Sequence, residues 1–242
     1  MKHPTSAFLV LGSLGLLSAC AKGRASDVNA DRIYATYRTT YFAETQTVEN
    51  DAVFQFEGST GTYIELDGSA GVTVLGKTMS AATSLLNTVV YELDGTTATF
   101  GLASPPTAVT FAYTDTTGKV FTNEIAFPDA VNLSLAATSP NGQSLTFTPT
   151  TAPLGGSEKL RAEYSYTVSS GGSTLSRTGS RSCDGGVCTL RSSEELVDAT
   201  AGSEITIKVC RNRSSTPSQL SSAGGSAEAT FCSLHAKVTL SP

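Results

Sequence analysis

Leu160-Arg161-Ala162-Glu163-Tyr164-Ser165-Tyr166-Thr167-Val168 is the stretch that decides the fold class. Its apolar residues occupy every second position, with Arg161, Glu163, Ser165 and Thr167 between them. Successive side chains of a strand point to opposite faces, so this period of two describes a half-buried β-strand. Ile205, Ile207 and Val209 repeat the pattern around Thr206 and Lys208. Working outward, β-branched and aromatic runs recur at 33–42, 52–56, 63–66, 72–75, 89–93, 109–113, 120–127 and 145–147. Asp67-Gly68, Asp94-Gly95, Gly118, Asn141-Gly142 and Gly171-Gly172 punctuate them as turns. Many short strands at this spacing predict an all-β chain of sandwiches or barrels. Tyr34, Tyr37 and Tyr41 also fit a helical spacing, but Thr36, Thr39 and Thr40 among them favour a strand. Only 80–87 and 192–199 read as short helices, the second opening on a Ser192/Glu195 capping box. On the last strand the apolar phase changes from Ala227, Ala229, Phe231 to Leu234, Ala236, Val238, Leu240. A β-bulge near Cys232 and Ser233 is therefore expected if both runs face the core.

The N-terminus carries an address. Met1-Lys2-His3 is a short basic start, and residues 7–17 are apolar apart from Gly and Ser, too short to cross a bilayer that needs about 20 apolar residues. The run ends in Leu17-Ser18-Ala19-Cys20. All four positions match the lipobox of bacterial lipoproteins, which this segment resembles. The resemblance implies cleavage before Cys20 (residues 1–19 being the signal), a diacylglycerol thioether on its thiol and acylation of its new amine. It also implies a bacterial cell-envelope location, and Ala at position 21, where Asp would retain the chain, points to the outer membrane. Residues 20–31 then read as a lipidated, polar, flexible tether reaching at most roughly 40 Å.

The remaining cysteines, 183, 188, 210 and 232, are even in number, as expected of an exported chain with disulfides. Sequence alone permits three pairings. In Cys183-Asp184-Gly185-Gly186-Val187-Cys188 the Gly-Gly pair fits a two-residue hairpin turn, which sets the two Cys opposite each other. By elimination Cys210 joins Cys232. A zinc site of four thiolates fits the spacing poorly. Residues 20–130 carry six basic and thirteen acidic side chains and 131–242 carry nine and eight, which suggests two domains, an acidic β-sandwich over 32–130 and a second over 131–242. Leu145-Thr146-Phe147-Thr148-Pro149, Tyr164 to Val168, and Leu196 ahead of Ile205-Thr206-Ile207-Lys208-Val209 loosely resemble strands of fibronectin type III and immunoglobulin-like modules. That likeness implies a sandwich for the second domain, without the family's Trp or its strand-F Tyr.

Composition narrows the function classes. Lys and Arg total 16 against 21 Asp and Glu, for a net charge of −5, so phosphate neutralisation and nucleic-acid binding are disfavoured. Once the signal leaves, His235 is the only histidine, and no metal or cofactor is expected. Ser233 and His235 suggest a hydrolase triad on paper, but neither a Gly-x-Ser-x-Gly elbow nor a Ser-x-x-Lys dyad occurs in the mature chain. The expectation is a non-enzyme. Arg177, Arg181, Arg191, Arg211 and Arg213 gather around the cysteines as a possible anion-binding patch, with Arg177 opposite Glu194 if the 183–188 hairpin continues in register. Tyr34, Tyr37, Tyr41, Tyr63, Tyr91 and Tyr113 are candidates for a sugar-stacking platform. The reading is thus a lipid-anchored binding, adhesion or structural module acting through loops or a strand edge, its partner an envelope protein or a glycan, with a carbohydrate-binding module as the alternative.

Overall fold

The computed structural model describes residues 22–84, 88–93, 98–101, 105–170 and 173–242. The signal, Cys20 and the turns at 94–95 and 171–172 lie outside them. The chain is almost wholly β, and its backbone is one 13-stranded sheet. The principal order is Gly23–Arg24, Thr62–Glu65, Thr47–Phe56, Ile33–Phe42, Gly225–Cys232, Glu204–Ser215, Glu158–Ser170 and Ser173–Ser182. Ser80–Thr83, Val89–Glu92 and Ala98–Gly101 join at the 47–56 strand, and Ala236–Ser241 with Thr138–Pro140 at the 204–215 strand.

Alternation explains why these segments are strands. Ile33, Ala35, Tyr37, Thr39 and Tyr41 are buried, with less buried residues between them. Pairing then carries that face across the sheet. Tyr41 lies beside Phe231 in the parallel 33–42/225–232 ladder, Phe231 beside Arg211, and Arg211 beside Leu160. Ala162, Val209, Ile205 and Val238 continue the same face.

Two separate covers close this face. A four-stranded sheet, Val120–Ala126, Ala108–Thr114, Gly71–Val74 and Lys77–Thr78, covers the part built from the first half of the chain. Between the layers Tyr37 meets Phe111 at 5.0 Å and Phe54 meets Tyr113 at 4.7 Å, centroid to centroid. Such aromatic contacts add to the burial of large apolar surface. The other part is covered by the pairs Val131–Asn132 with Thr150–Thr151 and Leu145–Phe147 with Cys188–Leu190, together with the turns at 192–198.

The division expected near residue 130 is therefore a change of cover, not a break in the sheet. Residues 35–42 pair with 225–232 over eight positions, so strands from the two halves share one ladder. Asn123 clasps the Gln219 backbone in both directions, and Arg213 donates to the Phe127 carbonyl. The tether is also corrected. Gly23–Arg24 pairs in parallel with Ile64–Glu65, Ala25 is fully buried, and Ser26 donates twice to Asp67. Polar composition suggested a free segment, but its polar groups find partners on the body. Neither expected helix forms in the described residues. Ser80–Thr83 is a strand against Val89–Glu92, and 192–198 is a series of turns. Glu195 accepts from the Arg191 amide and pairs with Arg181 instead of closing a capping box on Ser192.

The expected bulge is present. Cys210 pairs with Cys232 and Ile207 with Ala236, so Lys208 and Val209 face three residues, Ser233 to His235. The added residue restores the buried phase at Val238 and Leu240.

Candidate functional site

The arginine cluster expected from the sequence does not form a patch. Arg211 and Arg213 lie on the buried face of the 204–215 strand, at the seam between the two covers, and Arg211 is 1% exposed. Its guanidinium donates to the carbonyls of Ala152 and Pro153, each at 3.0 Å, to the Thr151 hydroxyl, and to Glu158 at 2.5 Å. Arg213 completes the cluster through its Nε at 2.8 Å from the other Glu158 oxygen. Burial pushes the Glu158 carboxyl up, but hydrogen bonds from Arg211, the Gly155 amide and Arg213 outweigh it and bring it down to about 2. A sheet face passing from one apolar core to the next is thus bridged by a buried ion cluster that fastens the 127–130 and 151–155 segments. The remaining three arginines are tied to the 191–198 turns. Arg181 pairs with Glu194 and Glu195, Arg191 with Glu194, and Arg177 with Asp198. The expected Arg177–Glu194 pairing fails because the 183–188 hairpin does not propagate. Beyond it, 173–182 pairs with 158–170 while 188–190 turns to 145–147.

Both disulfides, Cys183–Cys188 and Cys210–Cys232, are formed. In the first, Gly185 and Gly186 take φ of +56° and +88°, the left-handed values that a two-residue turn of this kind requires and that favour glycine. Asp184 and Val187 exchange reciprocal backbone hydrogen bonds of 2.9 Å across it.

Ser233 and His235 do not converge on a reaction centre. The Ser233 hydroxyl is buried in the bulge, where it accepts from the Val209 amide at 3.0 Å and donates to the Leu234 carbonyl. His235 is on the surface, its Nδ1 3.7 Å from Glu44. A sugar platform from the expected tyrosines is also lost, because Tyr37, Tyr41, Tyr91 and Tyr113 are core residues. Burial pushes the Tyr91 hydroxyl up to about 12 even as it hydrogen-bonds the Leu66 amide. Among the described residues no group of three or more His, Cys, Asp or Glu is placed to hold a metal ion.

What the fold does assemble is a polar outer face, opposite the buried one. A hollow of about 450 Å³ is lined by Arg161, Glu163, Ser165, Thr178, Thr206 and Lys208, with His235 at its margin. Glu163 sits at its centre, 2.5 Å from Arg161 and 3.1 Å from Lys208, whose ammonium also lies 5.0 Å from the centre of the Phe42 ring. Burial raises the Glu163 carboxyl, and the Lys208 and Arg161 cations overcome it, holding it below the ordinary range. A second hollow of about 210 Å³ adjoins at Arg161, with Lys159, Asn212, Glu228 and Thr230. The polar partners in the alternating 160–168 run were the sequence signal for this face. Their convergence with 206–208 required the pairing of residues more than 40 positions apart in the chain, Glu163 with Lys208 and Ser165 with Thr206.

No protein-family model, no curated protein and no solved structure matches the chain.

Proposed function

We propose that this is a lipid-anchored protein of the bacterial cell envelope that works by contact, as a binding, adhesion or structural module. The observation that carries the contact reading is the open polar face, on which cations and a carboxylate neutralise one another around a shallow hollow. Paired charges on a broad sheet face suit recognition of another polar surface. Two disulfides in one body support an oxidising compartment, and the lipobox-like Leu17-Ser18-Ala19-Cys20 supports the anchor. The docked 23–27 segment gives the anchor a consequence. Lys22 pairs with Glu65 on the body, so a lipid on Cys20 lies two residues, at most about 7 Å of chain, from a docked position. The body would then rest against the headgroups, most simply of the outer membrane.

Membrane fractionation of native cells tests the reading. Wild-type protein is expected in the membrane fraction with an acylated N-terminus at Cys20 by mass spectrometry. A Cys20→Ser chain should lose that modification and the membrane association that depends on it. An unmodified N-terminus elsewhere, or unchanged fractionation of Cys20→Ser, refutes the anchor.

A further inference from the structure

The Ser173–Ser182 strand ends the principal sheet, and among the described residues no further strand lies beyond it. Its ten residues are exposed except Gly179 and Arg181, which are half-buried. An edge this long presents a row of unpaired main-chain groups, which proteins usually guard with lysine, proline or a bulge. This strand has no Lys and no Pro, and its register with 158–170 is unbroken from Arg161–Ser182 to Ser170–Ser173. Its two charges point away from guarding it, Arg177 being drawn to Asp198 and Arg181 to Glu194 and Glu195.

The hydrogen-bond phase shows which groups point away from the sheet, where the described residues supply no main-chain partner. The Cys183 amide donates to the Leu160 carbonyl, so in this antiparallel ladder residues 181, 179, 177, 175 and 173 point their amides and carbonyls inward. Residues 174, 176, 178, 180 and 182 point theirs outward. Their side chains are all Ser or Thr and stand on the polar outer face, whereas Leu175, Arg177, Gly179 and Arg181 stand on the other.

From this geometry we propose that the free edge pairs with the same edge of a second copy, antiparallel and centred on Thr178. The centre follows from charge and from overlap, since only centring on Thr178 pairs all five outward positions, whereas Ser176 or Ser180 as centre would pair three. Centring on Arg177 sets the two Arg177 side chains against each other, and centring on Gly179 sets Arg177 against Arg181. Like charges directly opposite are destabilising. Centring on Thr178 sets each Arg177 against Gly179, which carries no charge and is overlain by the Tyr164 ring, a surface a guanidinium can stack on, and each Arg181 against Leu175, which its aliphatic stem can cover. Leu175 is 48% exposed in the single chain. The same register pairs Thr178 with Thr178, Ser176 with Ser180 and Thr174 with Ser182. These are the positions whose main-chain groups are free, giving about ten new hydrogen bonds and a ladder of hydroxyls. The contact is isologous and closes on two copies. It goes beyond the contact reading above and does not depend on the anchor.

Sedimentation of the full chain carrying Cys20→Ser tests it. The expected result is a concentration-dependent monomer–dimer equilibrium. Thr178→Pro removes an outward amide and no inward one, and should return the chain to monomer with unchanged circular dichroism. Should that variant fold poorly, Thr178→Cys decides. The two introduced thiols would lie about 5.5 Å apart between α-carbons and cross-link on mild oxidation. Ser176→Cys, set opposite Ser180 of the other copy, should not. A chain that stays monomeric at high concentration, open-ended oligomers, or equal cross-linking by both cysteine variants would overturn the proposal.

Discussion

Replacing Glu158 by Gln removes the one carboxylate that faces both Arg211 and Arg213 inside the seam. Glu158 is 3% exposed in its side chain and Arg211 1%, so the guanidinium left behind has no water to replace the lost charge. Removing one partner of such a buried pair costs about 3–5 kcal/mol. The depression of the Glu158 carboxyl gives a figure of the same order. The folded carboxyl sits at about 2 against an ordinary 4.5, a difference worth about 3 kcal/mol. Because the folded value is depressed, this stabilisation is fully present above pH 4.5 and is lost as pH falls toward 2. Glu158→Gln is therefore expected to melt about 10 °C below wild type at neutral pH, with the gap closing in acid. Arg211→Met added to Glu158→Gln should recover much of the loss, since the buried cation, left with only the exposed Asp129 carboxylate at 3.7 Å, goes with it. Thermal unfolding followed by circular dichroism between pH 7 and pH 2.5 measures both effects. A deficit below about 1 kcal/mol at pH 7, with the acid limb unchanged, would refute the assignment of the seam to this ion cluster.

Asp51 predicts an opposite trend at higher pH. Burial pushes its carboxyl up to about 6, with Arg38 opposing and Glu92 and Glu228 adding to the rise, so folding is penalised once it ionises. The native state holds the proton longer than the unfolded chain does, and stability should fall as pH rises from 3.8 to about 6. Asp51→Asn is expected to stabilise at pH 7 by about 1–2 kcal/mol and to flatten that limb, as read from urea unfolding at the two pH values. Ser233→Ala leaves the buried Val209 amide without its acceptor and should cost about 1–3 kcal/mol. An effect within error in the same titration would show that the bulge supplies another partner.

Strand content was legible because alternation along a strand is a local property. The 33–42 run was identified as β on its threonines, and Ile33 to Tyr41 indeed alternate in burial. The bulge was legible for the same reason, as a phase error between Phe231 and Val238. The Cys183–Cys188 hairpin needed only its Gly-Gly turn. The apparent helices failed because short segments take their conformation from neighbours. Ser80 to Thr83 is recruited by Val89 to Glu92, and Glu195 is held by Arg181 from a distant strand. The arginines misled because their sequence proximity to cysteines carries no information on faces. Arg211 and Arg213 share the buried face with Val209, a parity visible in the sequence but open to the opposite reading without knowing what covers it.

Local periodicity and turn chemistry, which act over two to six residues, were enough to establish an all-β chain, its main strands and the hairpin disulfide. The shared sheet, the docked start at Gly23 to Asp27, the ion cluster under the seam and the free edge at 173–182 were decided only by tertiary structure. Each depends on which strand lies beside which, as in the parallel ladder joining 35–42 to 225–232. Such pairings bring together residues almost 200 positions apart, and no single stretch of chain encodes its own neighbour.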